Sequence, residues 1–301
     1  MSIKKCVITK GIYENEELRL LVSFDEKDNA VDLINIDNTR VGLTCEATVE
    51  KVLKDIDSCI LKLSIGEKGF IENRKLNPEE YIYRQSENKK VCQGDKFFVS
   101  ISQDPKGTKP CSCLFKSKEQ TNLKNECGYI DTIDFYIESF VPEDCEIVSD
   151  IPEVISNYPK IREYNDDYSL WKLYDFTKII DKAISKISYL KSGGNIVIEQ
   201  TEAMTVVDVN SASNSGKTSS MDTNLEALEA IVREMRLRSI SGIIIVDLLK
   251  VSKEQEQILI NRFKELTKED ISKIGVHGFT KLGLLEITRS RIYAPISTCV
   301  K

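Results

Sequence analysis

The 301-residue sequence has no CxxC pair, only one histidine, no apolar run long enough to span a bilayer and no excess of positive charge. Without CxxC, a self-contained zinc ribbon or thioredoxin-like site is not supported. The lone His277 excludes a Ser-His-Asp triad unless that residue serves, and no Ser or Cys lies in a nucleophile-elbow pattern; His277 itself reads as a surface or turn residue. The N-terminus, Met1-Ser2-Ile3-Lys4-Lys5, lacks the long apolar core of a signal peptide. Nine cysteines, an odd number, are scattered without the spacing of a disulfide framework, so the expectation is reduced thiols in a cytoplasmic protein with no membrane segment. The 42 basic residues stand against 48 acidic ones, a net charge of -6. Nucleic-acid binding by bulk charge is therefore disfavoured, and any phosphate site must be local.

Two aspartates on short hydrophobic strands are the strongest positive signal. They occur in Thr205-Val206-Val207-Asp208-Val209-Asn210 and in Ile243-Ile244-Ile245-Val246-Asp247. A carboxylate in so apolar a run is costly to bury as a lone anion, so it needs a cation, a donor or a strand end open to solvent. Strand side chains alternate, which sends Asp208 and Asn210 to one face and Val207 and Val209 to the other. Either aspartate alone reads equally well as a turn former or helix cap. As a pair of hard oxygen ligands they suit Mg²⁺, which takes one or two protein carboxylates and leaves its other positions to water and phosphate.

With 41% hydrophobic residues the chain can fill more than one core. Residues 1–40 form an N-terminal β segment with strands at Cys6 to Thr9 and Leu18 to Phe24. Residues 41–115 carry short strands at Cys45 to Val52, Ser58 to Leu63, Gly69 to Ile71 and Lys96 to Ser102, the pattern of a small barrel; Cys111-Ser112-Cys113 reads as a strand with small apolar thiols. Residues 116–168 are polar, punctuated by Pro142, Pro152 and Pro159, and read as a connector with a few short elements. Residues 169–301 form an α/β domain. It is predicted to contain one helix from Leu170 to Leu190, stopped by Gly193-Gly194, then a hairpin of Asn195 to Glu199 and Met204 to Asn210. A helix capped by Asp222 or Thr223 precedes the Asp247 strand. Ser252 and Gln255 have the spacing of a capping box; a short run at Ile274 to Phe279 and a final helical stretch from Leu284 to Ile292 complete the pattern.

The segment Ser211 to Thr218 imitates a P-loop, being a strand, then Gly216-Lys217-Thr218, then a helix and an acidic strand. Ser211 stands where the leading glycine belongs, and Ser219 to Asp222 delay the helix, so a flexible loop from which Lys217 reaches a phosphate is the better reading. In the barrel, Phe70 is either an exposed platform for stacking a base or an ordinary core aromatic, with Lys68, Lys106 and Lys109 supplying charge nearby.

From Tyr189-Leu190-Lys191-Ser192-Gly193-Gly194-Asn195 through Thr201-Glu202-Ala203 to Asp208-Val209-Asn210-Ser211, the chain resembles the ribonuclease E/G family. The resemblance continues in Thr223-Asn224-Leu225-Glu226-Ala227, Arg236-Leu237-Arg238, Gly242 to Asp247 and Thr280 to Arg289, and covers residues 170 to 293. It implies an α+β multidomain protein: an S1/OB-type RNA-binding barrel followed by an α/β, DNase I-like catalytic domain. It further implies that Asp208 and Asp247 hold a catalytic Mg²⁺, that Asn210 orients the site, and that Phe70 and Lys109 contact RNA, with Tyr81 or Tyr83 as a second stacking surface. The stretch between barrel and hairpin is shorter than in typical members and has no match to the Arg-Thr segment that recognises a 5′-monophosphate. Where the family's CPxC zinc link would follow, only Cys299-Val300-Lys301 stands. One cysteine per chain cannot build a four-thiolate zinc, so neither zinc nor the dimer or tetramer around it is supported, while another kind of homo-oligomer stays open.

The expected function is a Mg²⁺-dependent endoribonuclease of RNA processing or decay. It would cut single-stranded RNA with metal-activated water, leaving 5′-phosphate and 3′-hydroxyl ends. Lys217, Arg289 or Arg291 would contact the RNA backbone. The alternatives are a non-catalytic RNA-binding relative and, behind it, a P-loop-type NTPase.

Overall fold

Strands β1 (Lys5–Tyr13) and β2 (Glu16–Phe24) form a hairpin in which Tyr13 pairs with Glu16. Its two-residue turn, Glu14-Asn15, has positive φ at both positions, the geometry that matches the twist of the flanking strands. Strand β3 (Ala30–Asn35) continues the meander. The computed structural model describes residues 2–87, 90–120, 128–211 and 219–299. They divide into two units: Met1–Asn35 with Pro142–Arg291 and Pro295–Lys301, and Ile36–Val141 with Ile292–Ala294.

The second unit is built on β4 (Thr44–Leu53), β5 (Ser58–Leu63), β6 (Lys68–Glu72), β7 (Lys96–Gln103) and β8 (Cys111–Lys116). They close into a five-stranded barrel in the order β4-β5-β6-β8-β7. Alternation fills its interior with Ala47, Val49, Leu61, Ile71, Phe97 and Val99, among others; each buried side chain of Val or Leu size contributes about 1.5–3 kcal/mol. Cys111 and Cys113 point inward from one strand, as the small apolar thiols were expected to. Helix α1 (Gly128–Phe140) also belongs to this unit.

In the first unit, β9 (Glu146–Ser149) runs parallel to β1, and β10 (Arg162–Glu163) parallel to β9. The resulting sheet has the order β10-β9-β1-β2-β3. This corrects the expected boundaries. Residues 1–35 share a sheet with residues from beyond the barrel, and the short elements expected in the connector are α1, β9, helix α2 (Pro152–Asn157) and β10.

The single helix expected over 170–190 is instead α3 (Leu170–Leu173), α4 (Phe176–Ile184) and strand β11 (Ile187–Tyr189). The break is at Asp175, which adopts φ 49 and ψ 54 and whose carboxylate accepts the Lys178 N–H. That αL residue ends one helix and caps the next.

A six-stranded sheet follows, from β11, β12 (Asn195–Gln200), β13 (Met204–Asn210), β14 (Gly242–Asp247), β15 (Ile274–Phe279) and β16 (Leu285–Arg289). Its order is β11-β12-β13-β14-β16-β15, with β13 and β14 parallel and the other neighbours antiparallel. A parallel pair needs a crossover, and helix α5 (Ser220–Leu237) lies between these two strands in sequence. Its cap is Ser219, whose hydroxyl accepts the Asp222 N–H, rather than Asp222 or Thr223. Helix α6 (Lys253–Leu266) begins at the expected capping box of Ser252 and Gln255. The final stretch is a strand, not a helix, because Leu285 and Ile287 are buried while Glu286 lies on the other side, a period of two.

Leu228, Ile231 and Met235 of α5, with Leu259 and Phe263 of α6, pack on Ile196, Val207, Val209, Ile244 and Val246. At its C-terminal end α5 reaches the other sheet of the same unit, where Arg236 meets Asp32 at 2.6 Å, both side chains 2% exposed. Among the described residues no helix is long and apolar enough to cross a membrane.

Candidate metal and RNA site

The helices cover one face of the six-stranded sheet, and the opposite face carries the acidic residues. Along β13, Thr205, Val207 and Val209 are buried, whereas Val206, Asp208 and Asn210 are exposed. Along β14, Ile244 and Val246 are buried and Asp247 is exposed. Asp208 and Asp247 are register partners in the parallel pair, so they stand side by side on neighbouring strands, about 4.8 Å apart at the backbone. Both lie at the C-terminal ends of their strands, the end at which open α/β sheets bind ligands.

Like charges directly opposite in a sheet destabilise it. Among the described residues neither aspartate makes an ion pair with a lysine or arginine. Asn210 donates its Nδ2 to Asp208 Oδ2 at 2.9 Å and, more weakly, to Asn195 Oδ1 at 3.4 Å. The amide orients one carboxylate and supplies no charge. Two adjacent, solvent-facing carboxylates with an amide beside them form a hard-oxygen donor set that fits a divalent cation such as Mg²⁺. Among the described residues no cluster of three or more His, Cys, Asp or Glu forms a richer metal site.

Sequence reasoning passed over Asn195. It opens β12 directly opposite Asn210, and pairing the predicted hairpin from its turn would have found it. Gly194, expected only to stop a helix, has a second role: a Cβ there would lie 2.4 Å from the Asn210 carbonyl oxygen. The bare backbone lets the hairpin close against Asn210. Glu286 is exposed on the open face too, opposite Ile245.

The barrel places the aromatic candidates differently. Phe70 lies between the inward Gly69 and Ile71 and is itself half-buried, so its ring is not part of the barrel core. Tyr81 is in the core, 4.9 Å from the Phe97 ring, and burial pushes its hydroxyl well above its usual pKa, which removes it as a stacking surface. Tyr83 is 52% exposed. Lys109 is exposed in a tight turn held by reciprocal backbone bonds with Lys106. Lys68 is exposed and paired with Glu50 at 3.4 Å.

The sequence profile of the Ribonuclease E/G family matches residues 115–292, more than half of the chain. This chain belongs to the ribonuclease E/G family. Ribonuclease G of Escherichia coli (strain K12) is 38% identical over 146 residues, 47% of this chain and 29% of the relative. Ribonuclease G of Haemophilus influenzae is 36% identical over 137 residues, 44% of this chain and 28% of the relative. Ribonuclease E of Buchnera aphidicola subsp. Schizaphis graminum is 35% identical over 138 residues, 44% and 14%. The matched region spans less than a third of the length of these curated relatives.

Within this ribonuclease E/G chain, Arg289 is not placed to touch RNA, which corrects the expectation. Its side chain is 3% exposed and binds Asp270, itself 1% exposed, at 2.8 Å, and it donates to the Ile240 carbonyl at 2.8 Å. As the last residue of β16 it falls on the buried face, where a guanidinium must be paired. Lys217 lies outside the described residues. Arg291 is half-buried just past β16. His277 is exposed on β15 and shares a 2.9 Å hydrogen bond with Thr288, a surface pairing on the open side of the sheet.

Proposed function

We propose that this chain is a Mg²⁺-dependent endoribonuclease that hydrolyses single-stranded RNA in the cytoplasm, in RNA processing or decay, and leaves 5′-phosphate and 3′-hydroxyl ends. One observation carries the proposal above all: Asp208 and Asp247 stand in register on the open face of the sheet, and among the described residues neither makes an ion pair with a lysine or arginine. We read the six-stranded sheet with its helices as a DNase I-like catalytic layer and the five-stranded barrel as an S1-type RNA-binding domain.

Asp208 and Asp247 would hold the cation, which when bound neutralises phosphate charge and lowers the pKa of water. Asn210 fixes the rotamer of Asp208 and is placed to orient a phosphate oxygen. On the barrel, Phe70 and Tyr83 offer faces on which unpaired bases stack, and Lys109 offers charge to the backbone; single strands are recognised in this way. Lys217, nine residues after Asp208 in the sequence, is proposed to meet the scissile strand. The free thiols of all eight described cysteines accord with a reducing compartment.

The test is a fluorescent single-stranded RNA incubated with the purified protein in Mg²⁺ or in EDTA. Cleavage should require Mg²⁺ and disappear in Asp208→Asn and in Asp247→Asn. Cleavage that persists in both variants sinks the mechanism, and RNA binding without cleavage in the unaltered protein makes the chain a non-catalytic relative.

A further inference from the structure

Asn224 sits near the start of α5 and is completely buried. Its Nδ2 donates to the Leu249 carbonyl at 2.8 Å, and its Oδ1 accepts the Leu249 N–H at 2.9 Å. Leu249 lies two residues beyond Asp247, where the chain has left β14 and no ladder partner fixes it. The intervening Leu248 is buried in the helix-covered core. One side chain therefore satisfies both backbone groups of the residue that ends the Asp247 segment.

The same helix grips the other half of the site. Glu226 accepts the backbone N–H of Lys191 and, at 3.3 Å, that of Ser192. Those two residues begin the turn that leads through Gly194 to Asn195, the strand partner of Asn210. Two residues apart on α5, Asn224 and Glu226 thus hold the chain on both sides of the carboxylate pair.

We propose that Asn224, seconded by Glu226, is a positioning residue for the divalent-cation site: it sets the Asp247 carboxylate against that of Asp208 by locking the backbone beyond β14. The inference rests on the reading of Asp208 and Asp247 as cation ligands. A buried amide matched on both its atoms to one backbone residue fixes that residue's position, because any departure leaves a backbone N–H and a C=O without their partners. Mg²⁺ demands near-ideal octahedral geometry. Partners that orient metal ligands typically matter by about 10- to 100-fold in affinity or activity.

The experiment measures Mn²⁺ binding to the full chain by calorimetry alongside steady-state RNA cleavage in Mg²⁺. In Asn224→Ala we expect Mn²⁺ affinity about 10-fold weaker and kcat about 10- to 100-fold lower, with KM for RNA unchanged and a wild-type circular dichroism spectrum. Glu226→Gln, which keeps an acceptor oxygen, should lose less on both measures. A folded Asn224→Ala with wild-type Mn²⁺ affinity and kcat overturns the positioning role. Should that variant fail to fold, amide exchange in the unaltered protein decides: the Leu249 amide should exchange more slowly in Mg²⁺ and show no change in Asp247→Asn, and indifference to Mg²⁺ in the unaltered protein overturns the proposal. If the unaltered chain binds no Mn²⁺, or Asp247→Asn binds it normally, the cation site itself is wrong and the inference falls with it. If only the Asn224 variant is silent, the site stands and the positioning role alone is lost.

Discussion

The two faces of the six-stranded sheet treat carboxylates in opposite ways. On the covered side Asp270 is sealed in and clasped by Arg289, as Asp32 is clasped by Arg236 where α5 meets the other sheet. On the open side Asp208 and Asp247 face solvent side by side, with no arginine paired to either among the described residues. Asp32 and Asp270 come with their own arginine, and among the described residues Asp208 and Asp247 make no ion pair. Two adjacent carboxylates without an ion-pair partner among the described residues are a better sign of an external ligand than either aspartate alone.

The sharpest way to break the contrast is to neutralise each kind of acid. Asp208→Asn or Asp247→Asn should lower RNA cleavage by on the order of 10³-fold. Thermal melting of the same variants should show stability unchanged or slightly raised, because the like-charge contact across the strands is relieved. Arg236→Met should do the reverse to stability: it strands Asp32 as a buried anion at a cost of roughly 3–5 kcal/mol. The urea midpoint should fall accordingly, and the double variant Arg236→Met, Asp32→Leu should recover much of the loss.

On the barrel, Tyr83→Ala should weaken single-stranded RNA binding by about 1–3 kcal/mol with little change in melting. Tyr81→Ala should instead destabilise the barrel by roughly 3–5 kcal/mol. Fluorescence anisotropy with a labelled RNA separates the two tyrosines.

Asp131 in α1 provides the smallest test, since it is a partly buried acid with no arginine. Burial raises its carboxyl from the ordinary 3.8 to about 6, against the opposing hydrogen bond from the Thr44 backbone. The folded chain therefore holds a proton that the unfolded chain has released. Stability from this group is complete below about pH 4, falls as pH rises through 6 and stays flat beyond. Asp131→Asn should remove that slope and stabilise the barrel unit at pH 7 by on the order of 1 kcal/mol, after allowing for solvent screening; amide exchange of the barrel strands across pH 4 to 7 measures it.

Local patterns were legible in the sequence where the determining contacts are themselves local. The hairpin of Asn195 and Asn210, the shared face of Asp208 and Asn210, and the capping box at Ser252 all follow from alternation or from spacing within one turn. The break at Asp175 was hidden because apolar residues recur at helical steps on both sides of a single αL residue. Leu284 to Ile292 misled for a related reason: five residues are too few to separate a period of two from one of 3.6. The pairing of β9 with β1 joins residues some 140 positions apart, and a four-residue strand between prolines carries no mark of its partner. The burial of Arg289 was not legible because it depends on Asp270, a partner that only folding brings near.

A practical limit on dissection follows from the discontinuous first unit. Residues 169–301 contain both aspartates and look like a separable nuclease module on paper. Cut out on their own, they would carry Arg236 with no Asp32 to neutralise it, and Leu237 and Phe176 stripped of their packing on Val7, Leu20 and Leu33. An active fragment should therefore need the first 35 residues, supplied in the same chain or added as a complementing peptide.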